Sequence, residues 1–218
     1  MEKKKYSVFI VDDHPMMRDG ISQVINQQPD LEVIAEASGG PEALDKLSDI
    51  SPEIALVDIS LKGMNGIELT REIRKRFKNL PVLILSMHPE KYYAERAVKA
   101  GAKGYIMKHE TSDKVLKAIR RVLEGKFYLS EDISEKIISR MSGNISQSGT
   151  SVDKLSNREF EAFRYVGSGL KPQQIAEKLF VSVKTVETYY SRIKEKLSLK
   201  SASELRQFAV NWFKEDSK

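Results

Sequence analysis

Five side chains are placed to do chemistry together: Asp12, Asp13, Asp58, Ser86 and Lys108. Each stands just after a short apolar run, the runs being Tyr6–Val11, Ile54–Val57, Val82–Leu85 and Gly104–Met107. In an open α/β sheet, ligands sit beyond the carboxyl ends of the strands, so parallel strands over these runs would bring all five to one edge. Three carboxylates in one pocket repel and raise one another's pKa unless a cation compensates. Hard oxygen ligands of this kind suit Mg²⁺. A carboxylate in such a pocket can act as a nucleophile toward phosphorus and form an aspartyl phosphate. The metal and the ammonium would neutralise the transferring group, and the hydroxyl would bind one of its oxygens. Asp58 stands alone at the end of the central run and is the expected acceptor, with Asp12 and Asp13 holding the metal. His14 lies beside both acids but directly precedes Pro15, and it reads as the start of a helix. An octahedral oxygen site has no need of an imidazole.

The elements that must position these residues are legible in the same stretch. Strands are expected at Tyr6–Val11, Leu31–Ala37, Ile54–Val57, Val82–Leu85 and Gly104–Met107. Helices are expected at Pro15–Gln28, Pro41–Leu47, Ile67–Phe77, Glu90–Lys99 and Asp113–Leu123. Strictly alternating strands and helices imply a doubly wound, five-stranded parallel sheet with helices on both faces. The unbroken apolar run Val82-Leu-Ile-Leu85 agrees, because a parallel strand is buried on both sides.

Beyond that region the pattern changes. A helix is expected at Glu131–Met141, and the small polar stretch 142–152 has the composition of a flexible linker. Everything after it reads as helix: Ser156–Gly167, Pro172–Leu179, Val183–Leu197 and Ala202–Phe213. Three parts follow: residues 1–126, a connecting helix and linker at 127–151, and a smaller all-α domain at 152–218. The net charge of +5 is uneven, since residues 151–218 carry 13 basic and 9 acidic side chains. A basic unit on a nearly neutral one points to a polyanionic partner for the tail.

Two helices flanking the break Phe180-Val-Ser182 have the spacing of a helix-turn-helix. Ser182 is suited to cap the second helix. In that helix Val183, Val186, Tyr190, Ile193 and Leu197 form one stripe for the core. The opposite face carries Lys184, Thr188, Ser191 and Arg192, beside Thr185 near the helix start, and is expected to read bases in a major groove. Lys194 and Lys196 are expected as phosphate contacts.

The chain has no Cys, which excludes disulfides, thiolate catalysis and Cys-based zinc sites. The apolar run Val8–Val11 is too short for a signal peptide core or a membrane span, so no membrane role and a cytoplasmic location are expected.

Val11-Asp-Asp-His-Pro15, Leu56-Val-Asp-Ile-Ser-Leu61, Ser86 and Gly101-Ala-Lys-Gly-Tyr-Ile-Met-Lys108 resemble the receiver domain of bacterial two-component response regulators, a flavodoxin-like fold. The resemblance covers residues 6–125. It implies that a sensor histidine kinase phosphorylates Asp58. It further implies that Mg²⁺ is bound by Asp13, Asp58 and the main-chain oxygen of Ser60, with Asp12 assisting through water. Ser86 and Lys108 would contact the phosphoryl group and Tyr105 would be a rotating aromatic switch. Leu155-Ser-Asn-Arg-Glu159, Gly169–Leu179 and Ser182–Tyr190 are similar to the LuxR-type helix-turn-helix domain. The order of the two matches the NarL/FixJ family, which implies a regulator that binds double-stranded promoter DNA and forms a homodimer on activation. The chain departs from those patterns at His109, where proline is common, at Met87, and at Glu187, Tyr189 and Ala202. The first departure bears on a cis bond after Lys108, the second on access to the phosphoryl group, and the last three on the DNA sequence read.

Two other classes remain open at this point. A phosphohydrolase using an aspartate nucleophile usually wants a second acid two residues on, and that position is Ser60. A signalling module whose helical tail binds protein would not show the salt-dependent retention on duplex DNA that counterion release produces.

Overall fold

The computed structural model describes residues 5–141 and 151–215. Five strands, β1 (Tyr6–Val11), β2 (Leu31–Ala37), β3 (Ile54–Asp58), β4 (Val82–Ser86) and β5 (Gly104–Met107), form one sheet in the order β2-β1-β3-β4-β5. Every neighbouring pair is parallel. The alternating helices are α1 (Pro15–Asn26), α2 (Gly40–Asp49), α3 (Gly66–Arg76), α4 (Glu90–Ala100) and α5 (Ser112–Leu123). β3 and β4 are buried along their whole length, as strands covered on both faces must be. On one face, Val8, Ile10, Ile54, Leu56, Leu83 and Leu85 pack against Val115, Leu116 and Ile119 of α5.

Helix ends follow local chemistry. Pro15 occupies the first turn of α1, where its missing N–H costs nothing. The Asn65 side chain accepts from the Ile67 N–H and starts α3. Gly101, at φ 109°, terminates α4 in the left-handed conformation that glycine adopts without strain. β3 and β4 each run one residue beyond the expected span and take in Asp58 and Ser86 themselves.

The connector after α5 begins as part of the sheet's edge. The Tyr105 N–H donates to Tyr128 O, and the Tyr128 N–H donates to Lys103 O. A Cβ at Gly104 would press on Leu83 and Tyr128, so the glycine permits this approach. Helix α6 (Glu131–Met141) then packs on α4. The chain divides into two compact units, one up to Met141 and one from Ser142, so α6 goes with the sheet. Most of the expected linker, 142–150, lies outside the described residues. Its last two residues are built into structure: Ser151–Lys154 is a 3-10 turn with Val152 buried.

The second unit consists of that turn and four helices, α7 (Asn157–Gly167), α8 (Pro172–Leu179), α9 (Val183–Leu197) and α10 (Ala202–Glu215). Its core holds Phe160, Phe163, Val166, Ile175, Leu179, Val186, Ile193, Leu197 and Leu205. Trp212, the only tryptophan, meets Phe160 and Phe163 at ring separations of 6.0 Å. Among the described residues, no helix is long and apolar enough to cross a membrane.

Candidate functional site

The strand register brings the five chemical side chains to one edge. Val11 is level with Val57, Asp58 with Leu85, and Ser86 with Met107. The residues leaving these strands therefore stand side by side. Asp12, Asp58 and Ser86 are buried, and the Lys108 side chain is only 2% exposed. Lys108 Nζ lies 2.6 Å from Asp12 Oδ2 and 2.8 Å from Asp58 Oδ2, bridging the two carboxylates. The Lys108 N–H donates to Ser86 O, which ties the ends of β4 and β5 together.

Burial pushes the Asp58 carboxyl above its ordinary range, and the Asp12 charge adds to that. Lys108 and the Ser60 N–H oppose the rise without cancelling it. The lysine is thus the counter-charge that lets acids accumulate here. It does not satisfy them all. Asp58 Oδ1 is buried without a hydrogen bond, Asp13 Oδ1 meets His14 Nδ1 at 2.8 Å, and the carboxylates formally outnumber the ammonium three to one. Asp12, Asp13, His14 and Asp58 each place a ligating atom within 4.8 Å of the others, a donor set consistent with a metal ion.

The loop after β3 is packed tightly. A Cβ on Gly66 would overlap the Asp58 carbonyl oxygen, and the Gly66 N–H donates to Ile59 O. α3 therefore begins directly under the acidic edge, and only glycine fits. Ser60 sits in this loop with its hydroxyl 3.0 Å from His88 Nε2.

Tyr105 is buried, with its hydroxyl donating to His88 O at 2.8 Å. Ser86 Oγ accepts from the His88 N–H at 3.0 Å. His88 thus touches the loop of Ser60, the hydroxyl of Ser86 and the ring expected to switch, and it stacks on Tyr93 at 4.9 Å. Sequence reading missed it; its one signal was its position two residues after Ser86. Arg18 was also missed. It donates to Asp12 O at 2.7 Å and pairs with Glu36, holding the loop that carries both acids. No peptide bond among the described residues is cis, so the Lys108–His109 bond is trans. Met87 is largely exposed beside the site.

In the second unit, Phe180 takes a left-handed turn at φ 54° between α8 and α9. Ser182 Oγ accepts from the Thr185 N–H and caps α9. Val186, Ile193 and Leu197 are buried, and Val183 and Tyr190 half-buried, which is the expected inward stripe. Lys184, Thr188, Ser191 and Arg192 are exposed on the opposite side, with Thr185 and Lys194 partly so. The hydroxyls of Thr188 and Ser191 donate to Lys184 O and Glu187 O, one turn back.

Lys196, expected as a phosphate contact, is paired within its own unit. Its ammonium lies 2.6 Å from Glu159 Oε2, a carboxylate that is 3% exposed. The same oxygen accepts the Ser156 N–H, closing the capping box of α7. Burial alone would raise the Glu159 pKa, but Lys196 and Ser156 outweigh it and hold the carboxyl below its ordinary range.

Comparison with known proteins agrees with this geometry. Residues 8–120 match the response regulator receiver domain, and residues 153–209 match the bacterial regulatory proteins of the luxR family. The chain belongs to the response regulators of two-component systems. It is 36% identical to oxygen regulatory protein NreC of Staphylococcus aureus over 208 residues, 93% of this chain and 96% of NreC. A LuxR-family response regulator from Aurantimonas sp. SI85-9A1 superposes with a TM-score of 0.58 at 34% identity, over 64% of this chain and 99% of that one. RcsB of Salmonella enterica serovar Typhimurium, solved on promoter rprA with the phosphomimetic BeF3-, shares the fold. Its TM-score is 0.61 at 23% identity, over 95% of this chain and 99% of that one. A receiver joined to a LuxR-type helix-turn-helix makes this chain a response-regulator transcription factor and not an enzyme, so the phosphohydrolase reading falls.

The Glu159–Lys196 pair generates a prediction about stability. Lys196→Ala leaves a buried carboxylate short of a partner, and should destabilise the second unit by about 1–3 kcal/mol at pH 7. A depressed folded pKa contributes stability that is present above the unfolded value and is lost as pH falls through the folded one. The wild-type unit should therefore weaken as pH drops below the ordinary glutamate range, and the gap to Lys196→Ala should narrow there. Urea unfolding followed by Trp212 fluorescence measures both.

Proposed function

We propose that Asp58 accepts a phosphoryl group from a sensor histidine kinase and that α9 reads promoter DNA under its control. The observation that carries the first half is the buried Asp58 carboxylate bridged to Asp12 through Lys108, at the edge where a ligand can reach it. An Asp58 oxygen attacks phosphorus, the O–P bond forms as the P–N bond to the donor imidazole breaks, and the imidazole leaves with the electron pair. Lys108 is already against Asp58 and needs only a small shift to pair with a phosphoryl oxygen. Ser86 Oγ accepts from the His88 N–H, so its own proton is left to donate to a second phosphoryl oxygen. The oxygens of Asp13 and Asp58, with the Ser60 main-chain oxygen and Asp12 through water, are suited to hold Mg²⁺, which when bound supplies positive charge against the incoming phosphoryl oxygens. Tyr105 is the switch residue, its ring packed inward and its hydroxyl on the loop after β4.

Lys184 and Arg192 are the residues of α9 that read base edges, with Thr185, Thr188, Ser191 and Lys194 on the same side. Lys196, the partner of Glu159, is a phosphate contact in the same reading. A single helix-turn-helix offers few base contacts and such units usually bind as dimers on paired half-sites, so the active form is a homodimer. A kinase and a promoter as partners place the protein in the cytoplasm.

Two outcomes test the proposal. With Mg²⁺ and a small acyl-phosphate donor, the intact mass should rise by one phosphoryl group in the wild type and not in Asp58→Asn; an undiminished gain in the variant removes Asp58 as acceptor. Lys184→Ala and Arg192→Ala should each weaken specific DNA binding by about 1–3 kcal/mol where a bidentate base contact is lost. Unchanged footprints in both variants show that this face does not read DNA.

A further inference from the structure

We infer that His14 is a fourth ligand of the acidic pocket, one that lets it take a borderline dication of the Co²⁺, Ni²⁺ or Zn²⁺ class in addition to Mg²⁺. This rests on the reading of the pocket as the metal site and extends it. His14 Nδ1 lies 2.8 Å from Asp13 Oδ1 and 3.3 Å from Asp12 Oδ1. Both are ion-pair contacts as they stand. Adjacent ligands around an ion with bonds of about 2.1 Å also stand roughly 3 Å apart, so the same atoms are spaced to share one coordination shell. The four residues offer ligating atoms within 4.8 Å of one another.

A second observation points to a cation. Asp58 Oδ1 is buried without a hydrogen bond, and three carboxylates against the Lys108 ammonium leave a formal charge of −2. A dication balances it. The backbone holds the imidazole in place, since the His14 N–H donates to Asp12 Oδ1 at 2.9 Å and Pro15 follows in the first turn of α1. The residue does start the helix, as its sequence position indicates, while its ring faces the acids. Mg²⁺ demands oxygen donors, whereas imidazole nitrogen suits Co²⁺, Ni²⁺ and Zn²⁺, whose affinities for mixed N/O sites follow the Irving–Williams order. His14 therefore adds affinity for the borderline ions alone.

The test uses the full chain without phosphoryl donor. Co²⁺ and Mg²⁺ affinities are measured by equilibrium dialysis, and Co²⁺ ligation by its visible absorption. The proteins are wild type, His14→Asn, His14→Gln, Asp13→Asn and His109→Asn, each checked for its fold by circular dichroism. Both His14 variants should lose tenfold or more in Co²⁺ affinity, with a changed Co²⁺ spectrum and Mg²⁺ affinity within twofold of wild type. Unchanged Co²⁺ binding in them overturns the inference while leaving the Mg²⁺ reading intact. Equal losses of Co²⁺ and Mg²⁺ also overturn it, because His14 would then be orienting Asp13 rather than binding metal. A Co²⁺ loss found only in His109→Asn puts the nitrogen ligand elsewhere and overturns it. Asp13→Asn should weaken both ions; if it weakens neither, the pocket is not the metal site, and the underlying reading and this inference fail together.

Discussion

One buried ammonium holds the receiver's working edge together. Lys108 lies within 2.8 Å of both Asp12 and Asp58, in surroundings that exclude water from all three side chains. Isolated carboxylates cost several kcal/mol each when taken out of water, and a close cation offsets that cost only with good geometry. The geometry comes from strand register. β1, β3, β4 and β5 end within two residues of one another along the sheet, so the charges meet without any loop having to search for its place. The compensation is incomplete by design of charge: one lysine faces three acids. That residual negative charge is what a bound cation would balance.

The groups around this centre are arranged to sense a change in it. Ser86, Ser60 and Tyr105 come from three different segments, and each is hydrogen-bonded to His88 in the loop after β4. On the proposed function, adding about −1.5 to −2 charges at Asp58 would give Lys108 and Ser86 a new partner, and the bonds at His88 would adjust. Downstream of that loop, Glu90 at the start of α4 accepts the Ser130 N–H just before α6. A set of contacts therefore runs from the loop after β4 to the start of α6.

Much of this was readable from residue order. All five strands and the five helices that follow them stand where apolar runs and turn residues put them, and the chemical residues fall at strand ends. The differences are physical. Helix and strand ends moved by one or two residues where caps decide them, as at Ser156, which caps α7 from outside it. His88, Arg18 and His14 act through distances of about 3 Å across loops, and such contacts leave no periodicity to read. The Glu159–Lys196 pair was hidden, because a basic residue on a polar helix face looks the same whether its partner is a phosphate or a buried glutamate 37 positions earlier. The tie of Tyr128 to the edge of β5 was hidden as well, since backbone pairing by an irregular segment has no side-chain signature.

The central claim is that charge added at Asp58 governs what the helix-turn-helix does. The most direct measurement compares fully phosphorylated and unmodified protein for sedimentation and for affinity toward a duplex carrying two half-sites, at one salt concentration. The account predicts that the phosphorylated form sediments as a dimer and binds the paired sites more tightly. Equal sedimentation and equal affinity at full Asp58 occupancy would contradict it, and would leave a protein that binds DNA without regard to its acceptor.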